Sequence, residues 1–315
     1  MKKKCLALFS GGLDSVLAVK IIQAQKIEVI GINFISPFFS SKIARRAARE
    51  INLKLEIVDI SDDIIKLIKN PRYGYGKNIN PCIDCHILML KTAREYLEEI
   101  GASFIITGDV LGERPKSQNR RALKIIEFES GNAGFLLRPL SAKLLDPTVP
   151  ERESIVARAK LLDISGRSRK IQLALAKEYR LKHYAPPAGG CLLTDPAFAA
   201  RLSDVFTHGE DNLNNIILLK VGRHFRTSRN GKVVVGRDKS ENESLLELAE
   251  EEDLIFEVKD CPSPIAILRG DKTPVSIEEA AKLTARYSDN TKEKTKVSYG
   301  TIKEGFNQAL WVERR

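Results

Sequence analysis

The chain has 315 residues, of which 43% are hydrophobic and 29% charged; this excludes a disordered protein, and the length suggests about two domains. No apolar run approaches the roughly 20 residues of a membrane helix. The apolar stretch behind the basic start ends almost at once in Ser-Gly-Gly without a cleavage-type site, so we expect a cytoplasmic protein with no membrane partner. The net charge of +10 indicates a polyanionic partner such as RNA or DNA.

The first hundred residues alternate strand and helix signals. Short apolar or alternating runs predict strands at 5–9, 29–34, 53–57 and 104–107. Helical spacing of apolar residues predicts helices at 13–25, 43–51 and 90–100. This β-α-β-α order is typical of the α/β class, and we predict a doubly wound parallel sheet.

The rest of the chain changes character twice. Regularity fades after residue 108, a helical pattern returns over 151–181 with an interruption at Gly166, and 186–191 is rich in turn residues. Beyond residue 208 the patterns predict strands at 216–221, 232–235, 254–258 and 265–268, and helices at 243–251 and 277–286. We therefore predict an α/β domain over 1–208 and a smaller α+β domain over 209–315.

The segment Ser10-Gly11-Gly12-Leu13-Asp14-Ser15 connects the first strand to the first helix, where a doubly wound sheet places its ligand crevice. Its glycines allow a sharp turn and a close approach to phosphate, and its serines and the helix N-terminus supply donors. It is not a Walker loop, because no Gly-Lys-Ser/Thr follows, and its adjacent glycines do not fit the dinucleotide fingerprint. A capped turn without a ligand is the structural alternative.

This segment resembles the PP-loop of the ATP pyrophosphatases, and the resemblance extends over roughly the first 200 residues. Members of that family split ATP between the α and β phosphates, adenylate a carbonyl oxygen and let a nucleophile displace AMP. The resemblance implies that Asp14 helps to hold Mg²⁺ and that an adenine pocket lies near Asn33 and Phe34. It also implies a pyrophosphate cradle made by Ser10, Gly11, Gly12 and Ser15.

The five cysteines are an odd number, which in a cytoplasmic chain indicates metal binding or thiol chemistry. Cys82 and Cys85 form a Cys-x-x-Cys at a predicted helix N-terminus, where the helix dipole and free amides lower a thiol pKa. Cys191 follows a glycine turn that exposes it. Three interpretations are open: small apolar residues, a zinc site with His86 or another fourth ligand, or a [4Fe-4S] cluster held through three irons.

The same cysteines resemble those of the tRNA thiouridine synthases of the PP-loop group, notably the 2-thiouridylases and the 4-thiouridine synthase core. In 2-thiouridylases one cysteine follows an Asn-Pro and another follows a glycine about a hundred residues later, as Cys82 or Cys85 and Cys191 do. The third cysteine departs from the cluster-free enzymes and matches the iron–sulfur-dependent ones. The resemblance thus implies a [4Fe-4S] cluster on these three cysteines, whereas Cys5 and Cys261 are expected to be structural.

Further charged residues follow the predicted crevice. Gly108 and Asp109 end a predicted strand and are candidates for the ATP–Mg²⁺ site, although an aspartate that only stabilises a turn is an alternative for Asp109. Beyond them lie two basic clusters that suit RNA phosphates as a group, while each member alone fits a solvated surface. The clusters consist of Arg114, Lys116, Arg120, Arg121, Arg167, Arg169 and Lys170.

The segment 221–227, with its Phe-Arg pair, and the Gly-Arg-Asp-x-x-x-Asn-Glu pattern at 236–243 resemble the RNA-binding module of the NFACT proteins of ribosome quality control. The resemblance runs from about Leu218 to the C-terminus. It implies RNA binding, for which the candidates Arg223, Arg226 and Arg237 offer charge and Phe225 a stacking surface. The alternative is a core Phe225 with incidental arginines.

Together these features predict an ATP-dependent tRNA sulfurtransferase that adenylates a uridine carbonyl oxygen and replaces it with sulfur. The expected cofactors are ATP, Mg²⁺ and a [4Fe-4S] cluster. The expected partners are tRNA and a sulfur donor, either a cysteine desulfurase persulfide or free sulfide, and a homodimer is left open. Two alternatives remain: a PP-loop RNA ligase or amidotransferase with an amine nucleophile, and a non-catalytic RNA-binding adaptor with a structural zinc.

Overall fold

The computed structural model describes residues 3–182, 184 and 190–313, so most of the turn-rich stretch at 186–191 lies outside the described residues. The chain divides into two compact units, Met1–Asp195 and Pro196–Arg315. The predicted boundary at 208/209 differs from the observed boundary at 195/196 by one helix. That helix, Pro196–Thr207, packs against the next helix of the second unit, which is why it groups with that unit.

The first unit contains β1 (Lys4–Leu8), β2 (Glu28–Ile35), β3 (Lys54–Asp59), β4 (Phe104–Ile106) and β5 (Leu136–Leu137). These strands form one parallel sheet in the order β3-β2-β1-β4-β5, which confirms the predicted α/β class. The chain builds outward from β1 to β3 and then returns to the opposite side of β1. A topological switch point therefore lies between β1 and β4, where sheets of this kind bind ligands.

Helices cover both faces of this sheet, as a parallel sheet requires. They are α1 (Leu13–Gln23), α2 (Lys42–Glu50), α3 (Ser61–Lys69), α4 (Cys82–Ile100), α5 (Arg120–Glu129), α6 (Val149–Arg152) and α7 (Lys170–Glu178). Successive strand residues point to opposite faces, so Cys5 packs in one buried cluster with α1, α2 and α7, while Leu6 packs in another with α4 and α5.

The sequence patterns miss α3, α5 and β5, and they overstate the helix content of residues 151–181. The structure has only the short α6 and α7 in that region, separated by a 3₁₀ turn at Arg158–Lys160 and an extended segment. In the extended segment Ser165 pairs with Leu111 and Gly166 has a φ of +79°. This pairing holds the backbone out of helical conformation.

The second unit contains β6 (Arg223–Arg226), β7 (Gly231–Val235), β8 (Leu254–Glu257), β9 (Ala266–Gly270), β10 (Lys294–Gly300) and β11 (Gln308–Glu313). They form an antiparallel sheet in the order β11-β10-β8-β9-β7-β6. Its helices are α8 (Pro196–Thr207), α9 (Leu213–Leu218), α10 (Lys239–Leu248) and α11 (Pro274–Arg286). This architecture confirms the predicted α+β domain.

Helices pack on both faces of the second sheet. Ala280 of α11 lies in a buried cluster with Val233, whereas Leu245 of α10 packs with Val234 on the other face. The prediction of a strand at 216–221 is wrong, because Asn212 caps α9 by accepting a hydrogen bond from the Asn215 amide at 2.7 Å. Throughout the parts of the chain that the structure describes, every helix is too short or too polar to span a bilayer.

Candidate nucleotide and cysteine site

The Gly-rich loop between β1 and α1 lies at the carboxyl edge of the sheet. Gly11 has a φ of +76°, and a Cβ atom there would lie 2.7 Å from the Cα atom of Ala44 in α2. Gly108, which follows β4, is equally constrained, because a Cβ atom would lie 2.5 Å from the Ser15 amide nitrogen. The two glycines therefore let α2 and the segment after β4 close around the start of α1.

Donors of the loop remain available to a ligand. Gly12 is the N-cap residue of α1 and supplies no side-chain cap, so no capping side chain stands between the first turn of α1 and an anion. The Ser15 hydroxyl donates to the Gly12 carbonyl at 2.8 Å, which holds the turn in shape. Ser10 is exposed, and its Oγ atom accepts a 3.3 Å contact from the Gly12 amide. The predicted cradle residues are thus gathered at one helix N-terminus.

Asp14 stands in the first turn of α1 and faces this crevice. Its Oδ1 atom is buried and has no hydrogen-bond partner among the described residues. Burial raises the pKa of the Asp14 carboxyl, and the nearby Arg169 guanidinium opposes that rise by favouring the carboxylate. A buried carboxylate oxygen left open in this way suits coordination to a hard cation such as Mg²⁺.

Asp109, in contrast, is fully engaged within the protein. Its oxygens accept hydrogen bonds from the Thr107 hydroxyl at 2.8 Å and the Gln118 amide at 3.0 Å, and Arg138 and His86 lie within 4 Å. Burial alone would raise the pKa of Asp109, but these charges and hydrogen bonds hold it below its ordinary value. Asp109 therefore anchors the segment after β4 and has no free oxygen that faces a ligand.

The predicted adenine-pocket residues lie at the end of β2. Asn33 is buried and donates from Nδ2 to the Phe9 carbonyl at 2.9 Å, while its Oδ1 atom has no partner within the described chain. Phe34 is buried in a hydrophobic cluster with other apolar residues of β2 and with residues of α4. The structure thus places Asn33 beside the Gly-rich loop, with one buried acceptor available.

Two separate segments bring the three predicted cysteines together. Cys82 and Cys85 occupy the first turn of α4, and the Asn80 side-chain amide donates to the Cys82 sulfur at 3.1 Å. The Asn78 side chain donates to the Thr194 carbonyl at 2.7 Å, which ties the loop before α4 to the turn that begins at Cys191. This hydrogen bond holds the segment that contains Cys82 and Cys85 next to the segment that contains Cys191, although the two are about a hundred residues apart in the sequence.

The Cys85 thiol is not activated by the helix N-terminus in the way the sequence suggests. Burial, with added repulsion from Cys191 and Cys82, raises the pKa of Cys85 well above its ordinary value. Burial also raises the pKa of Cys191 to about 11, with Cys82 contributing. The expected lowering of the thiol pKa is wrong for Cys85, because burial and like charge outweigh the helix dipole.

The basic residues of the first unit separate into three kinds. Arg114 is exposed and lies within electrostatic reach of both Asp14 and Cys191. Lys116 donates to the Tyr73 carbonyl at 2.8 Å and thereby supports the loop before α4. The Arg120 guanidinium contacts the Leu144 carbonyl. Arg121, Arg167 and Lys170 are exposed, whereas Arg169 is half-buried.

The sequence analysis missed Glu113. Burial and the neighbouring Asp14 raise the pKa of its carboxyl, so the two acidic groups lie close together in the crevice. Glu113 follows Asp109 within a segment of irregular pattern, and the only signal for it is its place just beyond a strand end at the switch point. It is a further candidate for the ligand crevice.

The arginines predicted to bind RNA in the second unit are paired internally. Arg226 forms ion pairs with Asp204 and with Glu210, the latter at 2.6 Å. Arg237 pairs with Glu241 at 2.6 Å.

Arg223, the third of them, lies over the Tyr287 ring at 4.5 Å, and Phe225 packs against the same ring. Phe225 thus contributes to the core cluster, as in the structural alternative. RNA contact by the three arginines stays a prediction.

Family models match each unit separately. Residues 1–168 match the model described as Thiamine biosynthesis protein (ThiI), and residues 222–314 match the model described as NFACT protein RNA binding domain. The first match contains the Gly-rich loop, Glu113 and two of the three cysteines, and it ends before Cys191.

Individual relatives are similar over shorter spans. The tRNA-specific 2-thiouridylase MnmA of Caldicellulosiruptor saccharolyticus is 26% identical over 174 residues, 47% of this chain and 47% of the relative. The probable tRNA sulfurtransferase of Thermococcus kodakarensis is 28% identical over 119 residues, 35% of this chain and 30% of the relative. This chain thus spans less than half the length of these relatives.

A solved structure described as a 4-thiouridine synthetase–RNA complex with bound ATP is 20% identical, with a TM-score of 0.39, and the similarity covers 69% of this chain and 52% of that one. The ThiI model, in contrast, matches more than half of the 315 residues and includes the loop, β4 and α4 that build the crevice. The chain therefore belongs to the ThiI family.

Proposed function

We propose that the chain is an ATP-dependent tRNA sulfurtransferase that forms 4-thiouridine or 2-thiouridine. One observation carries the proposal: the cysteine segments are tied to the same carboxyl edge of the sheet as the nucleotide loop, because the Leu192 amide donates to the Phe38 carbonyl at 3.0 Å and His86 lies 3.9 Å from Asp109. An enzyme that replaces oxygen by sulfur needs an adenylating group and a sulfur-handling group at the same carbon. Membership of the ThiI family and the names of the relatives support the same activity.

The chemistry requires two displacements: the first occurs at the α-phosphorus of ATP, and the second at the carbonyl carbon of the uridine. The carbonyl oxygen first attacks the α-phosphorus of ATP and releases pyrophosphate. Sulfide then adds to the same carbon, the C–O bond breaks, and AMP leaves as the C=S bond forms with loss of the sulfide proton. No oxidant is needed with sulfide, whereas a persulfide donor would leave a disulfide to be reduced. Adenylation is necessary because an unmodified carbonyl oxygen is a poor leaving group.

The loop side of the crevice fits ATP and Mg²⁺. The amides at the start of α1, which no side chain caps, would bind the phosphates, and the open Oδ1 atom of Asp14 would hold Mg²⁺ on the leaving pyrophosphate. The unpartnered Oδ1 atom of Asn33 would accept a hydrogen bond from the adenine amino group. Both side-chain assignments use a polar atom that has no partner among the described residues.

The cysteine side is proposed to hold a [4Fe-4S] cluster, because three cysteines from two segments leave one iron without a protein ligand. In the described ranges, no three His, Cys, Asp or Glu side chains converge so that they could hold one metal ion. A cubane cluster binds its cysteines through separate irons, so it does not need that convergence. When bound to Cys82, Cys85 and Cys191, it would supply an open iron for sulfide. The raised thiol pKa values mean that metal binding must displace protons from Cys85 and Cys191.

The second unit is proposed to bind the tRNA. The match to an RNA-binding domain model and the net charge of +10 support a polyanionic partner. The predicted RNA-binding cations of the first unit include Arg114, Arg121, Arg167 and Lys170, all of which are exposed. Action in the cytoplasm and assembly as a homodimer remain predictions.

The test is to combine anaerobically purified protein, unmodified tRNA transcript, ATP, Mg²⁺ and sulfide, and to measure pyrophosphate and the nucleosides formed. We expect tRNA-dependent pyrophosphate release and one thiouridine isomer, identified by mass. Pyrophosphate release with incorporation of an amine instead of sulfur would establish the ligase alternative. RNA binding without any pyrophosphate release would establish the adaptor.

A further inference from the structure

The segment before α7 is held at the nucleotide crevice by pairing with the segment after β4. Leu111 and Ser165 form an isolated parallel bridge, and the Gly166 amide donates to the Leu111 carbonyl at 2.7 Å. The Ser141 hydroxyl reinforces this pairing, because it accepts from the Leu111 amide and donates to the Ile164 carbonyl. Residues 167–169 are therefore placed beside the carboxyl ends of β1 and β4.

From this point α7 runs alongside α1 in the same direction. Arg169 lies beside Asp14 at the start of α1, and Tyr179 lies under Lys20 near the end of α1, with Nζ 5.8 Å from the ring centroid. Ala176 packs in the core cluster that α1 also enters. Two helix N-termini therefore face one crevice, and each brings the positive end of a helix dipole to it.

Three side chains at this point contain buried polar atoms with no hydrogen-bond partner among the described residues. The atoms are Oδ1 of Asp14, Nε of Arg169, and both Oε1 and Nε2 of Gln172, which is 0% exposed. Gln172 lies next to the Asp14 carboxyl and lowers its pKa as a hydrogen-bond donor, but neither polar atom of Gln172 reaches strict hydrogen-bond geometry among the described residues. Buried polar groups are nearly always paired in folded proteins, so an open group of them indicates ligand atoms that complete it.

We propose that the start of α7, through Arg169 and Gln172, forms a second wall of the polyphosphate site and binds the pyrophosphate end of ATP opposite the Gly-rich loop. The inference rests on the ATP use in the proposed function. Arg169 supplies a charge-assisted hydrogen bond to a phosphate oxygen, and Gln172 supplies an amide donor from a fixed, buried position. On the other side of the crevice, the backbone amides at the start of α1, which no side chain caps, would bind the same phosphates.

RNA also presents phosphates, and Arg169 was grouped above with the cations that suit RNA. Its surroundings separate it from its neighbours, because Arg167 and Lys170 are exposed whereas the Nε atom of Arg169 is buried beside Asp14. A phosphate that reaches Arg169 must therefore come close to the proposed Mg²⁺ ligand. The pyrophosphate end of a nucleotide meets that requirement, whereas an RNA backbone held at the surface does not.

The test compares the binding of Mg²⁺-pyrophosphate, Mg²⁺-ATP and AMP to the full chain by calorimetry, without tRNA. We expect Arg169→Gln to weaken pyrophosphate and ATP binding by about 10- to 100-fold and to leave AMP binding unchanged, because AMP lacks the pyrophosphate group. Lys177→Gln is the matched control, since it removes an exposed cation from the same helix. We expect this control to bind all three ligands as the wild type does.

Gln172→Leu gives a second, independent readout. It removes a buried amide that has no partner, so we expect the ligand-free protein to melt at a higher temperature and pyrophosphate binding to weaken by about 10-fold. A purely structural glutamine would instead lower the melting temperature when replaced. Arg169→Lys, which keeps the charge but not the guanidinium, is expected to restore part of the pyrophosphate affinity.

The outcomes separate this inference from the proposed function. Wild-type pyrophosphate affinity in Arg169→Gln would overturn the inference, and a loss confined to tRNA affinity would assign Arg169 to RNA. If Arg169→Gln loses pyrophosphate affinity but the wild type thiolates no tRNA, the polyphosphate wall stands and the sulfurtransferase proposal fails. A wild-type protein that binds neither pyrophosphate nor ATP would overturn both.

Discussion

The nucleotide crevice of the first unit and the arginine-bearing strand of the second unit contain the same kinds of side chain but differ in how many of their charged groups are paired. In the crevice, Asp14, Arg169 and Gln172 have buried polar atoms without partners in the described chain. In the second unit, both Nη atoms of Arg226 form ion pairs with its carboxylate neighbours Asp204 and Glu210, and only its Nε atom lacks a partner in the described chain. Both regions looked functional by residue type alone.

The difference shows that a ligand site is distinguished from a structural network by polar atoms that lack partners within the protein, and not by residue type. A buried polar atom without a partner destabilises the ligand-free protein by about 1–3 kcal/mol, so a cluster of them persists where binding requires it. A paired arginine must first break its ion pairs before it can contact a phosphate. The same contrast exists inside the first unit between Asp14, which is open, and Asp109, which is fully bonded.

The largest expected effect tests the open carboxylate of the crevice. Asp14→Asn should lower tRNA-dependent pyrophosphate release by about 1,000-fold or more, because the amide no longer holds Mg²⁺ on the leaving group. The fold and the tRNA affinity should be nearly unchanged, as measured by circular dichroism and filter binding. Asp63→Asn, an exposed aspartate in the first turn of α3, is the control and should keep wild-type turnover. Wild-type turnover in Asp14→Asn would remove this carboxylate from the mechanism.

The next effect tests whether the cysteines belong with the crevice. Anaerobically purified protein should be brown. Each of the variants Cys82→Ala, Cys85→Ala and Cys191→Ala should lose the iron, and its thiolation rate should fall by about 100-fold or more. ATP binding should remain, because the loop does not depend on these thiols.

Cys261→Ala, in the second unit, serves as the control for cysteine loss and should keep both iron and activity. Colourless, iron-free wild-type protein with full activity would exclude the cluster. One zinc per chain would instead indicate a structural site.

A smaller effect tests the paired state in the second unit. Among the described residues, Arg226→Gln leaves Glu210 with only Lys232 and Asp204 with only His208 as basic partners, so we expect a loss of about 1–3 kcal/mol in the free energy of unfolding, measured with urea. The tRNA affinity of the folded protein should change less than 3-fold. A variant with unchanged stability and much weaker, less salt-dependent tRNA binding would place Arg226 at the RNA and break the comparison.

The smallest effect concerns the thiols and follows from their burial. Because the pKa of Cys191 is raised to about 11, its reactive thiolate is a minor species near neutral pH and increases with pH. In iron-free protein, alkylation of Cys191 should therefore accelerate about tenfold per pH unit between pH 7 and 10. Mass spectrometry of the iodoacetamide adducts gives the rates. A rate that levels off near pH 8 would mean that the thiol is activated.

Local sequence determined much of the first unit. The apolar run ahead of Ser10 and the adjacent glycines predict a strand, a turn and a helix, because a buried parallel strand and a phosphate-binding turn each restrict residue type over a few positions. The alternation of strands and helices then predicts the parallel sheet. The prediction of a strand at 216–221 is wrong for a related reason. A short apolar run is compatible with a strand or a helix, and here the cap formed by Asn212 makes the segment helical.

Tertiary structure alone decided which polar groups are free. Asp14 and Asp109 both follow a strand at the switch point, yet only the positions of Thr107, Gln118 and Arg138 make the second one a closed network. The pairing of Arg226 and the place of Arg169 beside α1 likewise depend on contacts between segments far apart in the chain. Burial and pairing are properties of the assembled fold, and they set the pKa values and the availability on which the chemistry depends.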